Sequence, residues 1–139
     1  MIKNYYGSLC SEMYEILHKT APQDELEFYL SYAEKGMSVL EPLCGSGRFL
    51  IPFLERGYDI SGIDLSIEML SKLKQKAPSA KVFQGDILEY KSKERYDYIF
   101  ISSGSVSLFT DTELCKKVLQ KMKNLLKNGG VFVLSLIHI

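Results

Sequence analysis

The stretch Val39–Leu50, VLEPLCGSGRFL, runs from an apolar segment into two glycines one residue apart and then into a helix-compatible segment. A strand, a tight glycine turn and a helix in that order bring backbone close to a charged small molecule. Several cofactor classes use such a turn, so the identity of the ligand has to come from the segments around it.

Downstream, apolar runs and helical periods alternate. YDISGIDLS (residues 58–66) reads as a second strand after the first, MSVLEPLC (37–44). Between them a helix is expected over residues 47–56. Ser66 caps a further helix, IEMLSKLKQKA, with Glu68 in its first turn and Ile67, Leu70 and Leu73 as apolar positions. KVFQGDI and YDYIFISS read as the third and fourth strands, with EYKSKER between them as a loop. Residues 111–127 form a helix with Leu114, Val118, Met122 and Leu125 on one face, stopped at KNGG by Gly129 or Gly130. VFVLSLIHI is a fifth strand. Upstream, residues 8–17 and 24–34 read as two short helices, the second with Leu26, Tyr29, Leu30 and Ala33 at helical spacing. The fold class is therefore α/β: a Rossmann-like, mostly parallel sheet with helices on both faces, built by right-handed crossovers. Residues 1–36 form an amino-terminal helical cap, and residues 37–139 the ligand-binding α/β core of a single domain.

Bulk properties narrow the function. The 139 residues suffice for one domain. Seventeen basic residues balance seventeen acidic ones, so no global field draws in nucleic acid or an anionic membrane. No apolar run approaches the roughly 20 residues that span a bilayer. Cys10, Cys44 and Cys115 are far apart and form no CxxC, and His18 and His138 have no ligand spacing, so no metal is expected. A reducing, cytoplasmic setting fits.

Three readings of the glycine turn compete. A P-loop needs GxxxxGK with Ser or Thr, and no such string occurs. A dinucleotide fingerprint needs a third glycine where this chain has Leu50, which leaves a nucleotide-dependent oxidoreductase a distant third choice. The remaining reading begins at Glu41, a carboxylate at the end of the first strand suited to a positive group. S-adenosylmethionine carries an ammonium, and also a carboxylate that backbone N–H groups near the next helix can receive. Asp64 ends the second strand, where it can accept both ribose hydroxyls, and Asp86 ends the third, where it can accept from the adenine amine. Three carboxylates at the ends of adjacent strands define one crevice at the switch point of an open sheet.

These residues carry a resemblance. LEPLCGSGRFLIPFLERGYDISGIDLSIEML is similar to the first two motifs of the class I S-adenosylmethionine-dependent methyltransferases of small-molecule type. VFQGDILEY resembles that family's adenine-binding motif and RYDYIFISSGSVSLF its fourth-strand motif. The resemblance implies that Glu41 faces the methionine moiety, with Cys44, Gly45 and Gly47 forming the loop beneath it. By it Asp64 holds the ribose beside Leu65 and Met69, Asp86 and Ile87 frame the adenine, and Ser102 lies near the sulfonium. Arg48 is a candidate for the methionine carboxylate, and Tyr14 matches a tyrosine of the family's leading helix. Ser102, Ser103 and Ser105 are candidates for positioning an acceptor; no general base is visible, and the catalytic residues are unknown.

The sequence departs from the family pattern in two places. Leu43 stands at the first glycine of acid-x-Gly-x-Gly-x-Gly and is expected to crowd the cofactor or shift the loop. The family's seven strands end in an antiparallel hairpin, whereas this chain is expected to stop in its fifth strand, a truncated form whose exposed edge pairs with a second copy. The function expected is in-line methyl transfer to a small-molecule acceptor. The alternative is a truncated, non-catalytic adenosyl-ligand-binding or interaction module.

Overall fold

A computed structural model describes residues 23–102 and 112–134. Helix α1 spans Gln23–Leu30, strand β1 Ser38–Pro42, helix α2 Leu50–Glu55, and strand β2 Asp59–Asp64. Helix α3 follows over Ile67–Lys76, strand β3 over Lys81–Gln84, strand β4 over Tyr96–Ile101, helix α4 over Thr112–Leu125 and strand β5 over Leu126–Leu134. The strands form one sheet in the order β3-β2-β1-β4-β5, and every neighbouring pair is parallel. The order reverses direction between β1 and β4, which places a crevice at the carboxyl ends of those strands.

Strand alternation sends side chains to two cores. Val39, Ile60, Tyr98 and Phe100 pack on one face with Leu26 and Tyr29 of α1, Phe49 and Phe53 around α2, and Leu70 and Leu73 of α3. Leu40, Ile63, Ile99 and Ile101 pack on the other with Leu114, Val118, Met122 and Leu125 of α4, the four positions expected from their spacing. The first face is rich in rings: Phe100 stacks on Tyr29 at 4.9 Å and on Phe53 at 5.0 Å. The Tyr98 hydroxyl donates to the Tyr29 carbonyl at 2.7 Å, which ties α1 to β4.

Several boundaries differ from those expected, each for a local reason. Helix α2 begins at Leu50 rather than residue 47, because Gly47 has a φ of 90°. Pro52 lies in its first turn, where a missing N–H costs nothing. A Schellman motif ends it: Gly57 has a φ of 85°, its N–H donates to the Leu54 carbonyl at 3.0 Å, and Tyr58 N–H donates to Phe53 at 3.1 Å. In α3 the Ser66 hydroxyl caps the Met69 N–H at 3.2 Å, as its position implies. The buried residues there are Met69, Leu70 and Leu73, whereas Ile67 is exposed. Helix α1 stops at Leu30 although Ala33 still packs against the core.

Strand β5 begins five residues earlier than expected. Leu126 already pairs with Tyr96, and Val131 pairs with Tyr98, so the intervening residues bulge out around Gly129 with its φ of 79°. The glycine turn exists, but inside the strand. The helix expected over residues 8–17, Tyr14, Ser103, Ser105 and the last residues of the fifth strand lie outside the described residues.

Gly62, in the middle of β2, sets the spacing between sheet and loop. A Cβ there would lie 2.6 Å from Leu50 Cδ1 and 2.7 Å from Cys44 Sγ. Both of those side chains are buried, so neither can give way cheaply. Gly62→Ala is expected to destabilise the chain by about 1–3 kcal/mol in urea unfolding; a loss below the error of the measurement would show that the contact is not tight.

Candidate functional site

Glu41, Asp64 and Ser102 share one face of the sheet. Glu41 alternates with Val39, Asp64 with Ile60 and Gly62, and Ser102 with Tyr98 and Phe100, so all three fall on the side covered by α2. The Ser102 hydroxyl donates to Glu41 Oε2 at 2.8 Å. Glu41 is 1% exposed, and its Oε1 has no hydrogen-bond partner.

The loop between β1 and α2 is fastened to the end of β2. Leu43 N–H and Cys44 N–H both donate to the Ile63 carbonyl, at 2.7 and 3.3 Å. Gly45 N–H donates to Asp64 Oδ2 at 2.9 Å, and Ser66 N–H to Asp64 Oδ1 at 2.9 Å. Positive φ recurs at alternate residues: 58° at Leu43, 58° at Gly45 and 90° at Gly47. Leu43 therefore adopts the left-handed conformation itself. That conformation costs a non-glycine residue roughly 1–2 kcal/mol, and the side chain packs against the α4 core.

Other expected residues divide into two groups. Cys44 is buried against Gly62, and burial pushes its thiol up, as suits a packing residue. Met69 lies under the loop, its Cε 3.1 Å from where a Cβ on Gly45 would be. Arg48 turns to α1, where it meets Glu25 at 3.5 Å and lies over the Phe49 ring at 4.8 Å. Asp86 lies two residues past β3 rather than at its end, because the chain leaves the sheet at Gly85, whose N–H donates to the Asp64 carbonyl at 2.9 Å. The Asp86 carboxylate accepts Leu88 N–H at 2.9 Å, a turn-stabilising bond. Ile87 is buried and Leu65 half-buried in the α4 core. The backbone donors expected for a ligand carboxylate are partly committed: Gly45 N–H to Asp64, and Gly47 N–H to the Cys44 carbonyl at 3.1 Å.

Three residues that the sequence did not single out also belong here. Ser46 is buried with its hydroxyl unpartnered; nothing in the string GSG distinguishes it from a spacer. Gly62 had a usable signal, since a glycine inside a strand pattern often marks close approach. Glu25 had none, being 23 residues from its partner.

The loop thus holds three buried polar atoms that lack partners among the described residues: Glu41 Oε1, Ser46 Oγ and Arg48 Nε. Buried polar groups are nearly always paired, so such a concentration in eight residues calls for an explanation. It offers an acceptor at Glu41, a donor at Arg48 and a hydroxyl at Ser46. Burial is the main influence on Glu41, raising it from 4.5 to about 8 against the pull of the Ser102 hydroxyl; the charge of Asp64 adds to the rise, and Arg48 opposes it. Asp64 is also raised by burial, against the hydrogen bonds from Ser66 and Gly45. No group of residues suited to hold a metal occurs among the described residues. No described helix is long and apolar enough to cross a membrane.

Residues 39–130 match the family described as a methyltransferase domain. The chain belongs to that family. The resemblance to the class I S-adenosylmethionine-dependent enzymes is borne out, as is the Rossmann-like α/β fold. The dTDP-3-amino-3,4,6-trideoxy-alpha-D-glucopyranose N,N-dimethyltransferase of Streptomyces venezuelae is 26% identical over 112 residues, 81% of this chain and 47% of that protein. Among solved structures, the TehB-like SAM-dependent methyltransferase from Corynebacterium glutamicum superposes with a TM-score of 0.76 at 24% identity, covering 92% of this chain and 73% of that one. The glycopeptide N-methyltransferase MtfA, solved in complex with (S)-adenosyl-L-methionine, has a TM-score of 0.70 at 25% identity, covering 83% and 49%. The chain spans about half the length of the curated relatives it matches.

The Glu41 carboxyl makes stability depend on pH. Its ordinary value of 4.5 applies to the unfolded chain and about 8 to the folded one. Between them the folded chain holds a proton that the unfolded chain releases. Stability is therefore full below the unfolded value and falls as pH rises through the folded one. Urea unfolding of the full chain at about pH 6 and about pH 9 is expected to show a loss that exceeds that of Glu41→Gln by about 3 kcal/mol. Equal losses in the two proteins would show that Glu41 ionises freely.

Proposed function

We propose that this chain is the cofactor-binding part of an S-adenosylmethionine-dependent methyltransferase acting on a small-molecule acceptor. The observation that carries the reading is the orphaned trio at Glu41, Ser46 and Arg48 beside Asp64. An amino-acid zwitterion needs an acceptor for its ammonium and a donor for its carboxylate, and Glu41 and Arg48 supply them. The Asp64 carboxylate, which accepts N–H groups from Gly45 and Ser66, is assigned to the ribose hydroxyls. Leu65 and Met69 lie beside it, and Asp86 and Ile87 are assigned to the adenine. The fit is good.

When bound, S-adenosylmethionine supplies a methyl group made electrophilic by the sulfonium. What the chain contributes is position. Glu41 and Arg48 orient the amino-acid end, and the loop from Cys44 to Gly47 holds it against the sheet. Fixed orientation of this kind can supply several kcal/mol of a bimolecular barrier. Ser102 is oriented by Glu41 rather than free to act on an acceptor, so its role is to hold the carboxyl in place. Relatives named as N,N-dimethyltransferases of nucleotide-linked amino sugars favour a small polar acceptor carrying an amine. No observation among the described residues favours the non-catalytic module.

Calorimetric titration of the full chain is expected to show binding of S-adenosylmethionine and none of NAD. Asp64→Ala is expected to weaken binding about ten- to a hundredfold, the worth of one or two hydrogen bonds to a charged group. A folded chain that ignores S-adenosylmethionine would reject the proposal. The proposal extends to the outer edge of β5, which has no strand partner among the described residues and where pairing with a second copy would satisfy backbone groups. Light scattering at micromolar concentration is expected to report a dimer; a monomer would remove that part.

A further inference from the structure

Glu41 is surrounded in a way that suits a carboxylic acid better than a carboxylate. It is buried. One oxygen accepts the Ser102 hydroxyl, and the other lacks a partner. Among the described residues, the groups that face it come from two strands and the loop. From β2 comes Asp64, a second acid. From β4 comes the Tyr98 ring, whose hydroxyl is committed to the Tyr29 carbonyl. From the loop come the buried Cys44 thiol and Arg48. Arg48 is the one cation among them, and its guanidinium is drawn away to Glu25 on α1. The Leu50 N–H exerts the smallest of the pulls that lower the carboxyl. An uncompensated carboxylate in such a place is costly, whereas a protonated acid is not.

We propose that Glu41 is held as a neutral carboxylic acid until a ligand bearing an ammonium enters the crevice, and that binding then expels its proton to solvent. The O–H bond of the carboxyl breaks, its electron pair stays on oxygen, and the proton passes to the buffer; the ligand's positive charge replaces it. The site therefore selects for a cationic amino group twice. An amine compensates the carboxylate it creates, and a neutral adenosine derivative leaves the acid undisturbed. The rise of Glu41 to about 8 places this exchange in the physiological range. The inference rests on the assignment of the crevice to S-adenosylmethionine.

The test is proton counting by calorimetry of the full chain in two buffers that differ in ionisation enthalpy. Work at about pH 6 to 7 keeps the ligand's own α-amino group charged, since such groups titrate near 7.7–8.0. Close to one proton is expected to leave per S-adenosylmethionine bound, and affinity to rise about tenfold between about pH 6 and pH 7. Glu41→Gln is expected to release none and to bind with a flat pH profile. 5′-Methylthioadenosine, which lacks the amino-acid end, is expected to bind without proton release. Should the variant fail to fold, difference infrared spectra of the unaltered chain serve instead, with loss of a protonated-carboxyl band expected on binding of S-adenosylmethionine. Binding of S-adenosylmethionine without proton release, or equal release by methylthioadenosine, overturns the inference and leaves the crevice assignment standing. Absence of S-adenosylmethionine binding overturns both.

Discussion

The loop after β1 is held against the end of β2 by a short series of contacts, and the site exists because of them. Two amides converge on the Ile63 carbonyl, a third reaches the Asp64 carboxylate, and the bare Cα of Gly62 lets Cys44 and Leu50 settle on the sheet. Any side chain at Gly62 would lift the loop, and with it the start of α2 and the cover over Glu41. The third glycine of a dinucleotide fingerprint lets the helix approach its strand. Here the helix carries Leu50 and the glycine is on the strand. The close packing is preserved with the partners exchanged.

Burial of Glu41 follows from that cover and drives the electrostatics. With α2 drawn down over one face, the first-strand carboxyl is buried, with the Ser102 hydroxyl as its side-chain donor among the described residues. Asp64, at the crevice edge, is less confined and accepts backbone N–H groups that include those of Gly45 and Ser66. Two acids on one face of one sheet thus have different surroundings. One is a fixed acceptor that shapes the loop, and the other is incompletely satisfied. Helix α1 belongs to the same balance, because Glu25 engages Arg48, the cation nearest to compensating Glu41.

Much of this was legible in the residues. The alternation of strands and helices, the Ser66 cap and the α4 stripe of Leu114, Val118, Met122 and Leu125 follow from local periods and cap chemistry, which the sequence carries directly. So does the placing of Glu41 and Asp64 at strand ends, since both lie where an apolar run meets a turn. Asp86 was displaced because β3 is a short edge strand and releases the chain at Gly85. Strand β5 was misjudged because pairing of Leu126 with Tyr96 is a tertiary contact, invisible to a glycine rule. The Arg48–Glu25 pair and the burial of Ser46 likewise depend on elements far apart in the chain. Dihedral angles are the remaining gap: Leu43 looked like an intruder until its φ was known.

That residue bears on how such loops are recognised. A motif written in letters asks for glycine at position 43 and scores leucine as a defect. A motif written in backbone handedness asks for a left-handed residue at every second place, and residues 43, 45 and 47 supply it without interruption. Asparagine and aspartate also enter that region more readily than most. Sequences bearing either one at the first place are then variants of the same loop, and a search that tolerates them would gather relatives that a glycine count discards.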